Sequence, residues 1–380
     1  RRISSNPEEV YEYTSKWNTV AVVSDGTRVL GLGDIGAEAA IPVMEGKALL
    51  FKVLGGVDAF PITIKTKDPS KIVDIVVNIS PVFGGINLED ISTPKCFTIY
   101  DELVTKLDIP VFHDDRFGTA TVVLAGLMNA LKIVGKKLSN IRIAVIGAGA
   151  AGLAVVDLLI AAGANTGKII IVDSKGILHK DRKDLNKWKR KYAEITNREG
   201  KQGSINDAIK DADVVIALSR PGPGIITKEM IRSMASDPIV FALANPVPEI
   251  LPEEAKEAGA RIVATGRSDY PNQVNNALGF PAIFRGLLDT RSKTINNEIM
   301  IAAAKEIAKF AEEKGLSDDY IIPKINELEL YPREAAAVAD AATRSGVARL
   351  SLAYWEELEE ARKIIERSKK LVEFVTRKLS

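Results

Sequence analysis

Cysteine is nearly absent: Cys96 is the only one in 380 residues. A single thiol excludes an internal disulfide framework and a cysteine-rich zinc site, and it fits a reducing compartment. Charge of one sign is also lacking. Fifty-one Lys and Arg against 50 Asp and Glu leave a formal net charge of +1, so no global field recruits nucleic acid or an acidic membrane. No apolar run reaches the roughly 18 residues a membrane helix needs, and Arg1-Arg-Ile-Ser-Ser is followed by no apolar signal core. The expectation is a cytoplasmic protein. Glutamine is scarce, with only Gln202 and Gln273 beside abundant Lys, Arg and Glu. That bias fits heat adaptation, as does ordinary compositional drift.

What remains is ordinary globular material, 46 % apolar and 27 % charged, in a chain long enough for two or three domains. Through residues 19–120 short β-like runs alternate with helical stretches. Thr19–Ser24 and Arg28–Leu32 read as strands, Val43–Leu54 as a helix with an apolar face of Ala48, Leu49, Phe51 and Val53, and Ile72–Ile79 and Asp101–Leu107 as helices. Pro110–Phe112 reads as a strand delivering His113–Gly118 into a loop, and Ala120–Leu131 as a buried apolar helix. From Ile141 onward the pattern is strand, turn, helix, strand, which favours a doubly wound parallel sheet. Its strands are expected at Ile141–Ile146, Ile169–Val172, Val214–Leu218, Ile239–Ala242 and Arg261–Ala264, with a helix at Gly152–Ala162. The stretch Lys180–Gly203 is polar and basic, either a phosphate contact or a solvated loop and helix. From about Phe280 the chain reads as helical, and Leu358, Ile365, Val372 and Leu379 recur at seven-residue spacing, a stripe for packing on the body or on a second subunit. The fold class expected is α/β: a catalytic domain over 1–130, a Rossmann-like domain over 131–280 and a helical region over 281–380.

Two constellations carry chemistry. Gly147-Ala148-Gly149-Ala150-Ala151-Gly152 follows an apolar strand and opens an Ala-rich helix, with Asp173 lying 21 residues beyond Gly152. Glycines there permit a tight turn and close approach of a pyrophosphate to the helix amino end, and the acid suits adenosine ribose hydroxyls. A turn serving only helix–strand packing has the same look. Ser174 and Lys175, next in line, can accommodate a 2′-phosphate, so NAD versus NADP stays open. The second constellation is Glu89-Asp90 with Asp114-Asp115. Oxygen ligands without cysteine suit Mg²⁺ or Mn²⁺, although acidic pairs in loops commonly serve as caps, and His113 alone reads as a structural histidine. Lys47 enters an apolar helix, where it can snorkel or, if buried near a metal, serve as a base.

Five longer segments resemble the malic enzymes in their short prokaryotic form: Val22–Gly36, Gly84–Ile91, Pro110–Asp115, Phe241–Glu249 and Ala264–Asn276. The resemblance covers roughly residues 7–290, and the helical tail more loosely. It implies oxidative decarboxylation of (S)-malate to pyruvate and CO₂ with reduction of NAD or NADP, and a homodimer. It also implies Glu89, Asp90 and Asp115 as ligands to the metal, Lys47 as general base with Asp114 beside it, and Arg28 as a grip on malate or cofactor. Asn245, Asn275 and Asn276 match asparagines that contact the malate carboxylate and the nicotinamide side. Two departures stand out. The proton-donating tyrosine of the family belongs to a Tyr-Thr-Pro-Gly-Val segment expected ahead of Pro7 and not found in these residues, and Tyr11 and Tyr13 match later positions. Arg116-Phe117 replaces a glutamine and a polar residue, so Arg116 either pairs with Asp114 or changes the substrate-side electrostatics. Two other readings stand beside this one: a related malate-converting activity, malolactic conversion or oxaloacetate decarboxylation, and a module that binds cofactor and metal without turnover, which the missing segment favours.

Overall fold

A computed structural model describes the backbone of residues 1–379 and the side chains of residues 1–376. The chain forms two compact units: residues 1–118, 276–306 and 325–380 make the first, and residues 119–275 and 307–324 the second. Residues 119–130, which the sequence division kept with the first domain, therefore pack in the second unit.

The first unit is built on a four-stranded parallel sheet, β1 (Thr19–Ser24), β2 (Asp58–Thr63), β3 (Gly85–Leu88) and β4 (Val111–His113), in the order β2-β1-β3-β4. Every residue of β1, β3 and β4 is buried, as expected of a parallel sheet covered on both faces. Strand order reverses between β1 and β3, and the loops leaving their carboxyl ends carry Asp25, Arg28, Glu89 and Asp90. Such a switch point is where open α/β sheets hold ligands. Asp114 and Asp115 leave β4 at the same edge, in a single π-helical turn, Asp114–Gly118.

Helix Gly36–Gly55 ends on Gly56 in the left-handed region at φ 65°. Its buried residues Ala37, Ala40, Met44, Phe51 and Leu54 recur every three or four positions, and Lys47 falls in the gap of that stripe. Phe51 meets Phe280 and Phe284 of the helix Phe280–Asp289 with ring centroids 4.7 and 5.3 Å apart. The helices Leu330–Arg344 and Tyr354–Leu379 complete this layer. Of the expected stripe, Leu358 and Ile365 are buried within the unit, and Ser368 Oγ donates to the Lys52 carbonyl at 2.7 Å. The side chain of Leu379 lies outside the described residues.

The second unit is a six-stranded sheet in the order β10-β9-β8-β5-β6-β7: β5 (Ile143–Ile146), β6 (Ile169–Asp173), β7 (Gly176–Ile177), β8 (Val214–Ala217), β9 (Ile239–Ala242) and β10 (Ile262–Thr265). All pairings are parallel except β6 with β7, so the doubly wound expectation holds. Its switch point lies between β5 and β8.

Three expectations need correction. Arg28–Leu32 is a closed turn with a Val29–Gly33 bridge rather than a strand, because the Gly31 and Gly33 backbones take positive φ. His113 ends β4, and the residues after it form the π turn instead of a loop. Leu49, assigned to the apolar face of its helix, is 56 % exposed, since the buried stripe runs through Met44 and Phe51.

Candidate active site

The carboxylates converge. Glu89, Asp90 and Asp115 each offer an oxygen within 4.8 Å of the others. Lys47 joins them from its helix, with Nζ 2.6 Å from Asp114 Oδ2 and 2.9 Å from Glu89 Oε1. The ammonium also lies over the Phe280 ring, 4.2 Å from its centroid. Asn276 Nδ2 donates to Asp114 Oδ2 at 3.0 Å and to its carbonyl at 3.2 Å. Asn87, a fully buried polar residue inside β3, donates to Glu89 Oε2 at 2.9 Å. Asp90 adopts φ 54°, its N–H donates to Asp115 Oδ2 at 3.0 Å, and its carbonyl accepts the Arg28 N–H at 3.0 Å.

Four acids share one buried lysine, and the proton affinities record the deficit. Burial is the first influence on Lys47 and lowers its pKa, but Asp114 and Glu89 outweigh it and hold the ammonium well above the ordinary lysine range. Burial raises Asp90 to about 7, with Asp115 adding to the effect. It raises Asp115 to about 6, with Asp114 adding. Glu89 is likewise pushed up, by burial first and then by the three aspartates against the pull of Lys47. Such a cluster is short of positive charge, and an oxygen-only donor set suits a hard divalent cation. His113 does not join it: burial, and then Arg116 and Arg28, keep the imidazole neutral, and its Nδ1 stays 3.8 Å from Asp115 Oδ2. Arg116 makes no ion pair with Asp114. Its guanidinium lies against the rings of Phe97, Tyr100 and Phe117, 4.8–4.9 Å from each centroid.

In the second unit the glycine turn has the tightness a dinucleotide requires. Gly147 has φ 120°, and a Cβ there would sit 2.4 Å from the Leu218 carbonyl oxygen. A Cβ on Gly152 would sit 1.8 Å from the Gly147 carbonyl oxygen, so only glycine lets the helix start so close to β5. Ala148, Gly149, Ala150 and Ala151 complete the turn and the first helical residues. Asp173 ends β6, but its oxygens are already engaged. They accept Lys175 N at 2.9 Å, Arg182 Nη1 at 2.8 Å and Nη2 at 3.2 Å, and Lys189 Nζ at 2.7 Å. Burial would raise its pKa, yet Arg182 and Lys189 bring it below the usual carboxylate range. Asn245 and Asn275 also belong to the second unit and Asn276 to the first.

Residues 3–104 match the family model "Malic enzyme, N-terminal domain" and residues 117–343 match "Malic enzyme, NAD binding domain". The chain belongs to the malic enzymes. It is 53 % identical over 363 residues to the bifunctional malic/malolactic enzyme of Bacillus subtilis, covering 95 % of this chain and 88 % of that one. To the NAD-dependent malic enzyme of Geobacillus stearothermophilus it is 56 % identical over 347 residues, covering 91 % and 72 %. The crystal structure of malic enzyme from Pyrococcus horikoshii superposes with a TM-score of 0.96 at 54 % identity, covering 99 % of this chain and 88 % of that one. As a malic enzyme the chain is an oxidoreductase using NAD or NADP, with a divalent metal general to the family.

Sequence reasoning missed Asn87, Arg182, Lys189 and Asp25. A polar residue inside an apolar strand was the available signal for Asn87, and the basic run Lys180–Gly203 for Arg182 and Lys189. Asp25 Oδ2 accepts Lys95 Nζ, a pairing that nothing local in the sequence marks.

Proposed function

We propose that the chain oxidatively decarboxylates (S)-malate to pyruvate and CO₂, using NADP⁺ in preference to NAD⁺ and requiring Mg²⁺ or Mn²⁺. The observation that carries the reading is the cluster of Glu89, Asp90, Asp114 and Asp115 around the single ammonium of Lys47, in a chain whose relatives are malic enzymes. Glu89, Asp90 and Asp115 would hold the cation, which supplies Lewis-acid polarisation of the malate C2 oxygen and of the developing enolate. Bound nicotinamide supplies the hydride acceptor.

The protein's own groups do the proton work. Lys47 Nζ is the base for the C2 hydroxyl; it becomes competent when Glu89 is committed as a ligand and no longer stabilises the ammonium. Asp114, fixed by Asn276 Nδ2 at 3.0 Å, keeps Nζ aimed through the change. Malate brings two further negative charges, so Arg28 is assigned to a substrate carboxylate. Asn245, Asn275 and Asn276 are assigned to the amide contacts of substrate and nicotinamide. The NADP⁺ preference rests on Asp173: its oxygens accept four hydrogen bonds from Lys175, Arg182 and Lys189, leaving little for ribose hydroxyls, while the surrounding cations favour a 2′-phosphate. A homodimer in the cytoplasm goes with this reading.

Steady-state reduction at 340 nm tests it. Malate-dependent absorbance, abolished by chelation and restored by Mn²⁺, is expected, with kcat/KM favouring NADP⁺ by about tenfold, a difference of about 1.4 kcal/mol. Absence of turnover with intact NADPH binding would leave only a binding module. The Bacillus subtilis relative, named a malic/malolactic enzyme, favours one second reading. Lactate formed without net reduced cofactor would replace the oxidative activity with a malolactic one.

A further inference from the structure

We propose that Asp25 and Lys95 form a clasp that positions Asp90 and Arg28 relative to each other and so sets the geometry of the three-carboxylate site. The inference rests on the cation reading of that site. The parallel ladder between β1 and β3 reaches its edge where Glu89 N donates to the Val23 carbonyl at 2.8 Å. Beyond it the two segments are joined by the Arg28 N–H to the Asp90 carbonyl and by a set of side-chain ties centred on Asp25. Asp25, 2 % exposed, accepts Thr27 N at 3.2 Å and Thr27 Oγ1 at 2.6 Å on Oδ1. On Oδ2 it accepts Lys95 Nζ. Thr27 Oγ1 in turn accepts Ser92 N at 3.0 Å. One buried carboxylate therefore ties the residue before Arg28 to two positions that follow Asp90.

Between these ties both backbone groups of Asp90 are committed to functional residues. Its N–H goes to Asp115 Oδ2 and its carbonyl to the Arg28 N–H, with φ held at 54°. A non-glycine residue keeps a left-handed conformation only where its surroundings over-determine it. The other side of the loop is closed as well. Gly26 has φ 66°, and a Cβ there would meet the Gly36 carbonyl oxygen at 2.2 Å. Its own carbonyl accepts Ile35 N at 3.0 Å and Gly36 N at 3.1 Å. A buried ion pair contributes little net stability, whereas geometry at one remove from metal ligands commonly governs metal affinity by about 10- to 100-fold. Asp25 and Lys95 touch neither cation nor substrate; they act through Asp90 and Arg28.

The test compares wild type with Asp25→Asn, Lys95→Met and Lys95→Arg. Mn²⁺ binding without substrate is followed by electron paramagnetic resonance, beside malate KM, NADPH affinity and thermal midpoint. Asp25→Asn and Lys95→Met are expected to weaken Mn²⁺ binding at least about tenfold and to raise malate KM. NADPH affinity should stay within about twofold, and a single cooperative thermal transition reports that the variants fold. Lys95→Arg should recover Mn²⁺ affinity to within about threefold of wild type, a rescue that a mere loss of stability would not track. Folded variants with unchanged Mn²⁺ affinity and malate KM would overturn the clasp. Wild type that binds no Mn²⁺ would instead overturn the cation reading, and the malate KM, set through Arg28, would then decide the clasp alone.

Discussion

At Lys47 burial favours the neutral amine, while Asp114 at 2.6 Å and Glu89 at 2.9 Å favour the ammonium and prevail. A base so held needs Glu89 drawn away before it can accept a proton. Lys47→Ala should therefore lower kcat by about 10²- to 10⁴-fold, the range for losing a positioned acid–base group, with NADPH affinity within about twofold by fluorescence titration. Substantial activity in that variant would remove Lys47 from the role. The acids make a second prediction. Asp90 at about 7 and Asp115 at about 6 both lie above the ordinary 3.8, so in the cation-free protein they contribute stability at acid pH that is lost as pH rises through 6–7. A cation binds their ionised forms, so added Mn²⁺ should raise the thermal midpoint more at pH 8 than at pH 5. An equal shift at both would contradict these values. Glu89, Asp90 and Asp115 were visible in the sequence as acids in glycine-flanked segments. Their convergence followed only from the resemblance, not from the residues themselves, because it depends on the β1/β3 and β3/β4 registers.

At the scale of elements, the gap in a helical stripe explains how a lysine becomes buried. Ala40, Met44, Phe51 and Leu54 are buried at helical spacing, and Lys47 continues the same row, so the apolar packing that holds the helix also aims Nζ inward. Sequence reasoning chose a face through Leu49 because a run of apolar residues does not reveal which side packs. The strands Ile239–Ala242 and Thr19–Ser24 were legible to the residue, being mostly β-branched or apolar. The π turn was not, since nothing local distinguishes its extra residue from a loop. Glu334 sits on the helix Leu330–Arg344, fully buried, and neither oxygen has a hydrogen-bond partner among the described residues. Burial, and then Glu306, raise its pKa well above the carboxylate range. The acid is thus neutral in the fold, and its contribution, complete below the ordinary value of 4.5, is lost as pH rises. Glu334→Leu should raise stability at pH 8 by on the order of 1–3 kcal/mol and by much less at pH 4.5, measured by denaturant unfolding. The same change at both pH values would mean that Glu334 is ionised and paired.

For the whole molecule, each unit follows one rule: a sheet of parallel strands, save β7 at the edge of the second, whose strand order reverses once, with functional loops at the carboxyl edge of the reversal. Alternating strand and helix patterns disclosed the second sheet but only β1 and β4 of the first, since Asp58–Thr63 and Gly85–Leu88 do not read as strands from their residues alone. They did not disclose that residues 276–306 and 325–380 complete the first unit, because such long-range packing leaves no local signature. Among the described residues no helix is long and apolar enough to cross a membrane. The central claim is that Glu89, Asp90 and Asp115 hold one divalent cation beside Lys47. Crystals grown with Mn²⁺ and measured near the manganese absorption edge test it most directly. The account predicts a single strong anomalous peak per chain, roughly 2.0–2.6 Å from an oxygen of each of the three acids. A catalytically active crystal with no peak there, or with its manganese bound elsewhere, would contradict it.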